Sequence, residues 1–269
     1  MSLPTVEFLI PRKNSAVAEP LLRALQRAAN SAGHAVRSGA SFSNRCQWLV
    51  LFGVGAADRD AARKTQVARR GRAIVWDMGY IAREKHGGHL RLSIDDDHPH
   101  RWLDATDPDP ARWDALKVPL REDADPAGPI ILVGLGTKSR TYLRAPDWEA
   151  RMLKALNQRF PGRSVIHRPK PGHDFTKLNC ERDTETPIAQ LLRGASLVVC
   201  RHSNVAVDAT LAGVPFECSD GAAFWLQGKP YTPENRLDFL RRLAWWQWRV
   251  SEAAEAWAFI TRMLMPKIP

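Results

Sequence analysis

Arg201-His202-Ser203-Asn204-Val205-Ala206-Val207-Asp208-Ala209-Thr210-Leu211-Ala212-Gly213-Val214-Pro215 is the stretch on which the fold reading turns. Just before it, Leu197-Val198-Val199-Cys200 is an apolar run short enough for a buried strand, with Cys200 as a small buried thiol. A Ser-Asn pair then opens a helix over 205–212, and Gly213 closes it before Val214-Pro215-Phe216 starts another strand. Strand, helix and strand in this order belong to a parallel sheet covered by helices. Ser203 reads either as an ordinary cap or as part of an anion site, where N–H groups at a helix start receive a phosphate. The basic neighbours Arg201 and His202 favour the anion site.

The alternation extends outward in both directions. Downstream of residue 128 the pattern predicts strands over 129–133 and 164–167 and helices over 147–160 and 187–192. Upstream it predicts strands over 6–10, 46–52 and 73–76, with helices over 16–32 and 58–70 between them. A Pro- and Asp-rich stretch over 104–128 separates the two halves. The last residues read as two helices, 235–248 and 251–265, crowded with Trp245, Trp246, Trp248 and Trp257. Aromatic stripes at helical spacing pack as core; stacking of a base on an exposed tryptophan is the other use of such rings. The predicted organisation is thus three parts, 1–122, 128–234 and 235–269.

Composition narrows the classes. The 269 residues are 44% hydrophobic and 25% charged, which excludes a wholly disordered chain. No apolar run reaches the ~20 residues of a membrane helix, and the first residues lack a signal-peptide core, so no membrane partner and a cytoplasmic setting are expected. Cys46, Cys180, Cys200 and Cys218 form neither a CxxC pair nor a zinc spacing, which points to a reducing compartment. Thirty-nine Lys and Arg against 29 Asp and Glu give a net charge of +10, suited to a polyanion or to phosphorylated small molecules.

Three predicted strand ends in the second half carry phosphate-compatible groups, and ligands of open parallel sheets sit beyond the carboxyl ends of the strands. Gly134-Leu135-Gly136-Thr137-Lys138-Ser139 offers close backbone approach and a cation, without being a dinucleotide fingerprint or a Walker loop. Arg168 and Lys170 follow the next strand and read as diphosphate ligands or as solvated charge. The third is the Arg201–Asn204 junction. Asp95-Asp96-Asp97-His98-Pro99-His100 reads as a solvated acidic turn, with a divalent ion as the alternative.

Together, the Gly-x-Gly loop, the His167-Arg168-Pro169-Lys170-Pro171-Gly172 turn and the Cys200–Pro215 segment resemble the donor domain of GT-B glycosyltransferases. The resemblance implies an α/β fold of two Rossmann-like domains facing a cleft, with C-terminal helices crossing back to the N-terminal domain. It implies transfer of a sugar to a hydroxyl, with no permanently bound cofactor, no metal, because Lys and Arg can take the diphosphate charge, and a nucleotide-sugar, in the first place a UDP-sugar, as co-substrate. The donor residues it implies are Gly134, Gly136, Lys138, Arg168, Lys170, Arg201, His202, Ser203, Asn204 and Asp208, with Glu217 and Asp220 as further candidates for the ribose carboxylate. An inverting member needs a base on the acceptor side, and Asp77, ending the 73–76 strand, takes that role or else caps a loop or pairs with Arg83. GT-B acceptors include hydroxymethylated pyrimidines in the DNA of some bacteriophages, which would place the chain in a host cytoplasm. Duplex DNA is the preferred acceptor partner. Arg12, Lys13, Arg69, Arg70 and Arg72, with Arg63 and Lys64, would then form a phosphate-binding stripe, and Tyr80 or Trp76 would stack on an extruded base. The alternatives are a transferase for surface carbohydrate and a non-enzymatic nucleotide- or DNA-binding protein.

Overall fold

The computed structural model describes residues 3–11, 15–84, 87–170 and 177–265, with backbone only at Lys138 and Tyr142. Arg12, Lys13 and the Lys138 side chain therefore lie outside the described residues. The chain divides into two compact units: 1–99 with 245–269, and 100–244.

Unit 1 starts with β1 (Val6–Leu9), α1 (Ala18–Ser31), β2 (Val36–Gly39), β3 (Trp48–Phe52), α2 (Ala57–Ala68), β4 (Arg72–Met78) and β5 (Leu90–Ile94). The strand order β2-β1-β3-β4 is parallel throughout; β1, β3 and β4 are the expected apolar runs, whereas β2, Val36-Arg37-Ser38-Gly39, is not among the expected strands and is largely exposed at the sheet edge. β5 then pairs antiparallel with β4, placing Arg91 opposite Asp77 and Ile94 opposite Ile74. Its buried Leu90, Leu92 and Ile94 alternate with Arg91 and Ser93, a period-two pattern in the sequence.

Unit 2 comprises α3 (Ala111–Leu116), β6 (Ile130–Val133), α4 (Thr137–Tyr142), α5 (Trp148–Arg159), β7 (Val165–Arg168), β8 (Glu181–Arg182), α6 (Ile188–Leu191), β9 (Leu197–Cys200), α7 (Val205–Ala212), β10 (Phe216–Cys218) and α8 (Pro233–Ala244). A 3-10 turn, Ala222–Leu226, precedes α8. All five strands are parallel, in the order β8-β7-β6-β9-β10. By position in the unit this is 3-2-1-4-5, the order of dinucleotide-binding sheets. The core under one face joins Ile130, Leu132 and Val199 of the sheet to Trp148, Leu153 and Leu156 of α5. Gly213 closes α7 at φ 76°; a Cβ there would meet the Arg121 carbonyl at 2.5 Å, so only glycine fits.

The chain then returns to unit 1 as β11 (Gln247–Trp248) and α9 (Ala253–Leu264). The expected helix over 235–248 stops at Ala244, because the next residues join the sheet. Gln247 and Trp248 pair antiparallel with β5, the Trp246 carbonyl accepts the Leu92 N–H, and the buried Gln247 Oε1 accepts the Tyr80 and Ile81 amides. Trp246, Trp248 and Trp257 are at most 2% exposed, so the packing use of these rings holds for all three.

The segment over 104–122 belongs to unit 2 rather than to the first half. The Arg121 and Asp123 amides donate to the carbonyls of Leu211 and Ala212 at the end of α7, and Arg242 of α8 donates to the Leu103 and Thr106 carbonyls. Arg236 is the deepest tie. It is 1% exposed, pairs with Glu122 at 2.6 Å, and donates to the Thr210 and Arg121 carbonyls. Arg236→Met keeps the volume but leaves two carbonyls and a carboxylate without their donor. It should cost about 3 kcal/mol of stability, read as a lower urea midpoint with an unchanged m value.

Candidate functional site

In the order 3-2-1-4-5 the chain leaves the central strand β6 toward β7 on one side and comes back as β9 on the other. The connections that follow β6 and β9 therefore diverge, leaving a crevice beyond their carboxyl ends. The structure brings to this point the loop Gly134-Leu135-Gly136, Lys170 after β7, and Arg201-His202-Ser203-Asn204 after β9.

Gly134 and Gly136 are small because other groups already occupy the space beside them. A Cβ on Gly134 would lie 3.0 Å from His167 Nε2 and 3.2 Å from Pro169 Cα. One on Gly136 would lie 2.8 Å from Lys170 Cδ and 3.4 Å from its Nζ. The Lys170 side chain thus lies along the turn, with its ammonium at the end of the central strand. Lys170 makes no ion pair, and the Gly136 amide no hydrogen bond, among the described residues. Arg201 likewise has no carboxylate partner among the described residues, and its Nε is buried without a hydrogen bond. His202 Nε2 lies 3.1 Å from Ser139 Oγ, a side-chain bond that ties the start of α7 to α4 across the crevice. From the far side, Gly221, at φ 98°, packs on the His202 backbone, and the Ser219 and Asp220 amides donate to the Arg201 carbonyl.

Two expectations change. The N–H groups at the start of α7 are already engaged: Val205 with Ser203 Oγ at 3.2 Å, Ala206 with the Ser203 carbonyl, and Val207 and Asp208 with the Asn204 carbonyl. Ser203 thus caps the Val205 amide, and the cations left without a carboxylate partner among the described residues are Lys170 after β7 and Arg201 after β9. Arg168, expected as a phosphate ligand, instead pairs with Asp183 at 2.6 Å, and the same carboxylate accepts the Glu185 and Thr186 amides, fixing the connection after β8. Hydrogen bonding from Thr186 first, and then the Arg168 charge, hold the Asp183 carboxyl below its ordinary range. Glu217 is also removed from the ribose candidates, because it forms a two-pronged pair with Arg159 of α5. Asp208 stays half-buried on α7. The group that sequence reasoning missed is Glu149, which reads as an ordinary first-turn acid of α5 but accepts the Leu135 amide.

In unit 1 the corresponding carboxyl edge carries Asp77. Its Oδ1 accepts the Met78 amide at 2.7 Å and its Oδ2 lies 3.3 Å from the Arg91 guanidinium, so the ion-pair partner is Arg91; Arg83 instead bonds the Tyr80 carbonyl. The aromatic stacking roles fail on burial. Trp76 and Tyr80 are both fully buried, and Tyr80 spans from the Arg91 guanidinium above its ring to His98 Nδ1 at 3.0 Å from its hydroxyl. The basic stripe is broken as well. Arg63 is buried against Asp60 and the Asp95 carbonyl, Lys64 pairs with Asp60, and Arg72 pairs with Asp95. Arg69 bonds Asn44, and among the described residues of this group Arg70 alone is exposed with no side-chain hydrogen bond or ion pair. Arg69, Arg70 and Arg72 stand at the amino end of β4, the edge opposite Asp77.

The acidic run is not a solvated turn. Asp95 accepts the Ala73 amide and pairs with Arg72, while His98 is buried. Asp97 Oδ1 is buried without a hydrogen bond, 3.9 Å from Arg63, and burial pushes its carboxyl up to about 6. Among the described residues no group of three His, Cys, Asp or Glu side chains is placed to hold a metal ion, and no helix is long and apolar enough to cross a membrane.

No protein-family model and no curated protein matches the chain. Among solved structures it is similar to the beta Kdo 2,4 transferase KpsC of Thermosulfurimonas dismutans, at 13% identity over 89% of each chain and a TM-score of 0.53. The beta Kdo 2,7 transferase KpsC of the same organism follows at 15% identity, 96% of this chain and 99% of that one, with a TM-score of 0.49. Spinosyn rhamnosyltransferase SpnG complexed with thymidine diphosphate gives 12% identity, 96% and 95% coverage, and a TM-score of 0.32. The first likeness is one of fold, and the other two carry no argument. The expected α/β class holds: two units built on parallel sheets in a GT-B-like fold, the final helix belonging to the first unit.

Asp97 supplies a test of the buried cluster. Its folded-state value lies above that of an unfolded carboxyl, so the folded chain binds the extra proton between about pH 4 and 6 and loses stability as pH rises through that window. Asp97→Asn should flatten this slope and make the protein about 2 kcal/mol more stable at neutral pH, measured by urea denaturation at several pH values.

Proposed function

We propose that the chain is a glycosyltransferase that takes a sugar from a nucleotide-sugar, binding the donor's diphosphate at the strand-order reversal of unit 2. One observation carries this reading: Lys170 lies along the Gly136 turn with no carboxylate of the described chain to neutralise it, beside the unengaged Gly136 amide, and Arg201, which follows β9, likewise has no carboxylate partner among the described residues. Two cations held without a counter-charge at the carboxyl end of a Rossmann-order sheet await an anionic ligand. A nucleoside diphosphate supplies the charge, and the departing diphosphate of a sugar donor gains most from it as negative charge develops on its oxygen. In the transfer, the acceptor oxygen bonds to the anomeric carbon, the bond from that carbon to the phosphate oxygen breaks, and the nucleoside diphosphate leaves with the electron pair. Asp77 is the proposed base that receives the hydroxyl proton, its carboxylate oriented by Arg91 and the Met78 amide. UDP is the first nucleotide to try.

The acceptor proposed is a saccharide hydroxyl. The buried Trp76 and Tyr80 and the internally paired Arg63 and Arg72 speak against an extruded DNA base, and the fold is shared with a protein named as a beta Kdo transferase. Modified duplex DNA remains the second reading, favoured by the net charge of +10.

Isothermal titration with UDP and dTDP should reveal binding of at least one, and Lys170→Ala and Arg201→Ala should each weaken it about tenfold or more. No heat with any nucleotide or nucleotide-sugar would remove the proposal. With a donor in hand, Asp77→Asn should lower kcat by about a hundredfold or more while donor affinity stays within about twofold. Acceptor panels of oligosaccharides and of hydroxymethylated DNA, read by mass spectrometry, separate the two acceptor readings. DNA binding with a steep salt dependence would revive the second.

A further inference from the structure

Directly beneath the Gly134–Gly136 turn lies a charged pair that no motif marks. Glu149 is 1% exposed. Its Oε1 accepts the Leu135 N–H at 2.7 Å and also meets the Arg140 guanidinium, whose side chain is 11% exposed. Its Oε2 is buried with no hydrogen-bond partner among the described residues. Gly134 leaves nothing in between, since a Cβ there would stand 3.4 Å from Oε1. A negative charge is therefore fixed under the turn whose Gly136 amide and covering Lys170 face the incoming phosphates. At low local dielectric, an unneutralised carboxylate in that place would oppose a diphosphate strongly.

We infer that Glu149 and Arg140 are positioning residues that act as a neutral pair. Glu149 takes the Leu135 amide and so sets the turn; Arg140 cancels the carboxylate, so that Lys170 and Arg201 act on the donor unopposed. The inference rests on the nucleotide-sugar reading, and neither residue touches the ligand. The two roles separate by substitution. Glu149→Gln keeps an oxygen for the Leu135 amide and removes the charge. Arg140→Met leaves the carboxylate buried without its cation, so that it repels the ligand wherever it is charged and ceases to do so once a proton neutralises it.

The test is calorimetric titration of UDP and dTDP from about pH 5.5 to about pH 8.5, with thermal melts at each pH to establish that each variant is folded. The unaltered protein, Arg140→Met, Glu149→Gln and Arg140→Met/Glu149→Gln are compared. Arg140→Met should bind about tenfold or more weakly at the alkaline end and recover toward the acidic end. The double variant should return to within about threefold of the unaltered protein at every pH, and Glu149→Gln alone should bind as tightly or more tightly. A loss in Arg140→Met that is independent of pH, or one that the double variant does not repair, would overturn the inference and leave the pair a structural brace. If Arg140→Met is too unstable to titrate, Glu149→Gln decides, and a tenfold loss of affinity there is equally fatal. Binding that is the same in all four proteins refutes the pair's role but spares the nucleotide reading. Absence of binding by the unaltered protein refutes that reading, and the inference with it.

Discussion

Strand β6 has neighbours that the chain reaches by opposite routes, and the rest of unit 2 is arranged around that reversal. The turn at Gly134–Gly136 has to close the gap with backbone alone, because His167, Pro169 and Lys170 already crowd both glycines. The buried Glu149 carboxylate is the natural consequence: a turn of this kind leaves the Leu135 amide facing the interior, and a buried donor without an acceptor is costly. Satisfying it with a carboxylate in turn demands a cation, which Arg140 provides from the helix that the turn leads into. One topological feature thus dictates a chain of three residues, each answering the charge or donor left by the one before.

The same habit recurs across the molecule and limits what net charge can say. Arg63, Arg140, Arg168 and Arg236 all direct their guanidinium groups to internal carbonyls or carboxylates. Arginine suits this work because its planar fork satisfies several acceptors at once, where a lysine would present a single point. A surplus of ten positive charges therefore does not translate into a uniformly basic surface. The cations available to a ligand are those left over when internal demands are met, and after β7 and β9 Lys170 and Arg201 have no carboxylate partner among the described residues, which is why the proposed donor site rests on them.

How much of this was legible in the residues follows the range of the interactions. Apolar runs and helix-closing glycines are local, so β1, β3, β4, β6, β7 and β9 and the helices α1, α2, α5 and α7 could be read within a few residues of their ends. So could the loops that meet at the crevice, since a parallel sheet presents its carboxyl ends together. β11 could not: its residues continue a helical pattern, and only pairing with β5 and the Gln247 hydrogen bonds draw them into a sheet. Nor could the state of each arginine be read, because Arg168 beside Lys170 looks like one basic turn until Asp183 arrives from the next connection. Glu149 is the extreme case, a residue whose own neighbourhood in sequence gives it a different and sufficient explanation.

The antiparallel pairing of β5 settles which carboxylates of unit 1 share an edge. Reversing direction after β4 carries the chain from Asp77 back to the amino end of the sheet, where Asp95 bonds Ala73 and Arg72. Three consecutive aspartates and two histidines look like the denser chemistry, yet topology sends them to the edge where parallel α/β sheets do not bind ligands. There they do structural work, meeting the Arg63 and Arg72 charges that arrive from α2 and the start of β4. Asp77 remains at the carboxyl edge with one oxygen on a backbone amide and the other beside a guanidinium, which fixes the carboxylate's orientation. A base has to be held in place before its proton affinity matters, and Asp77, the acid proposed for that role, meets this requirement.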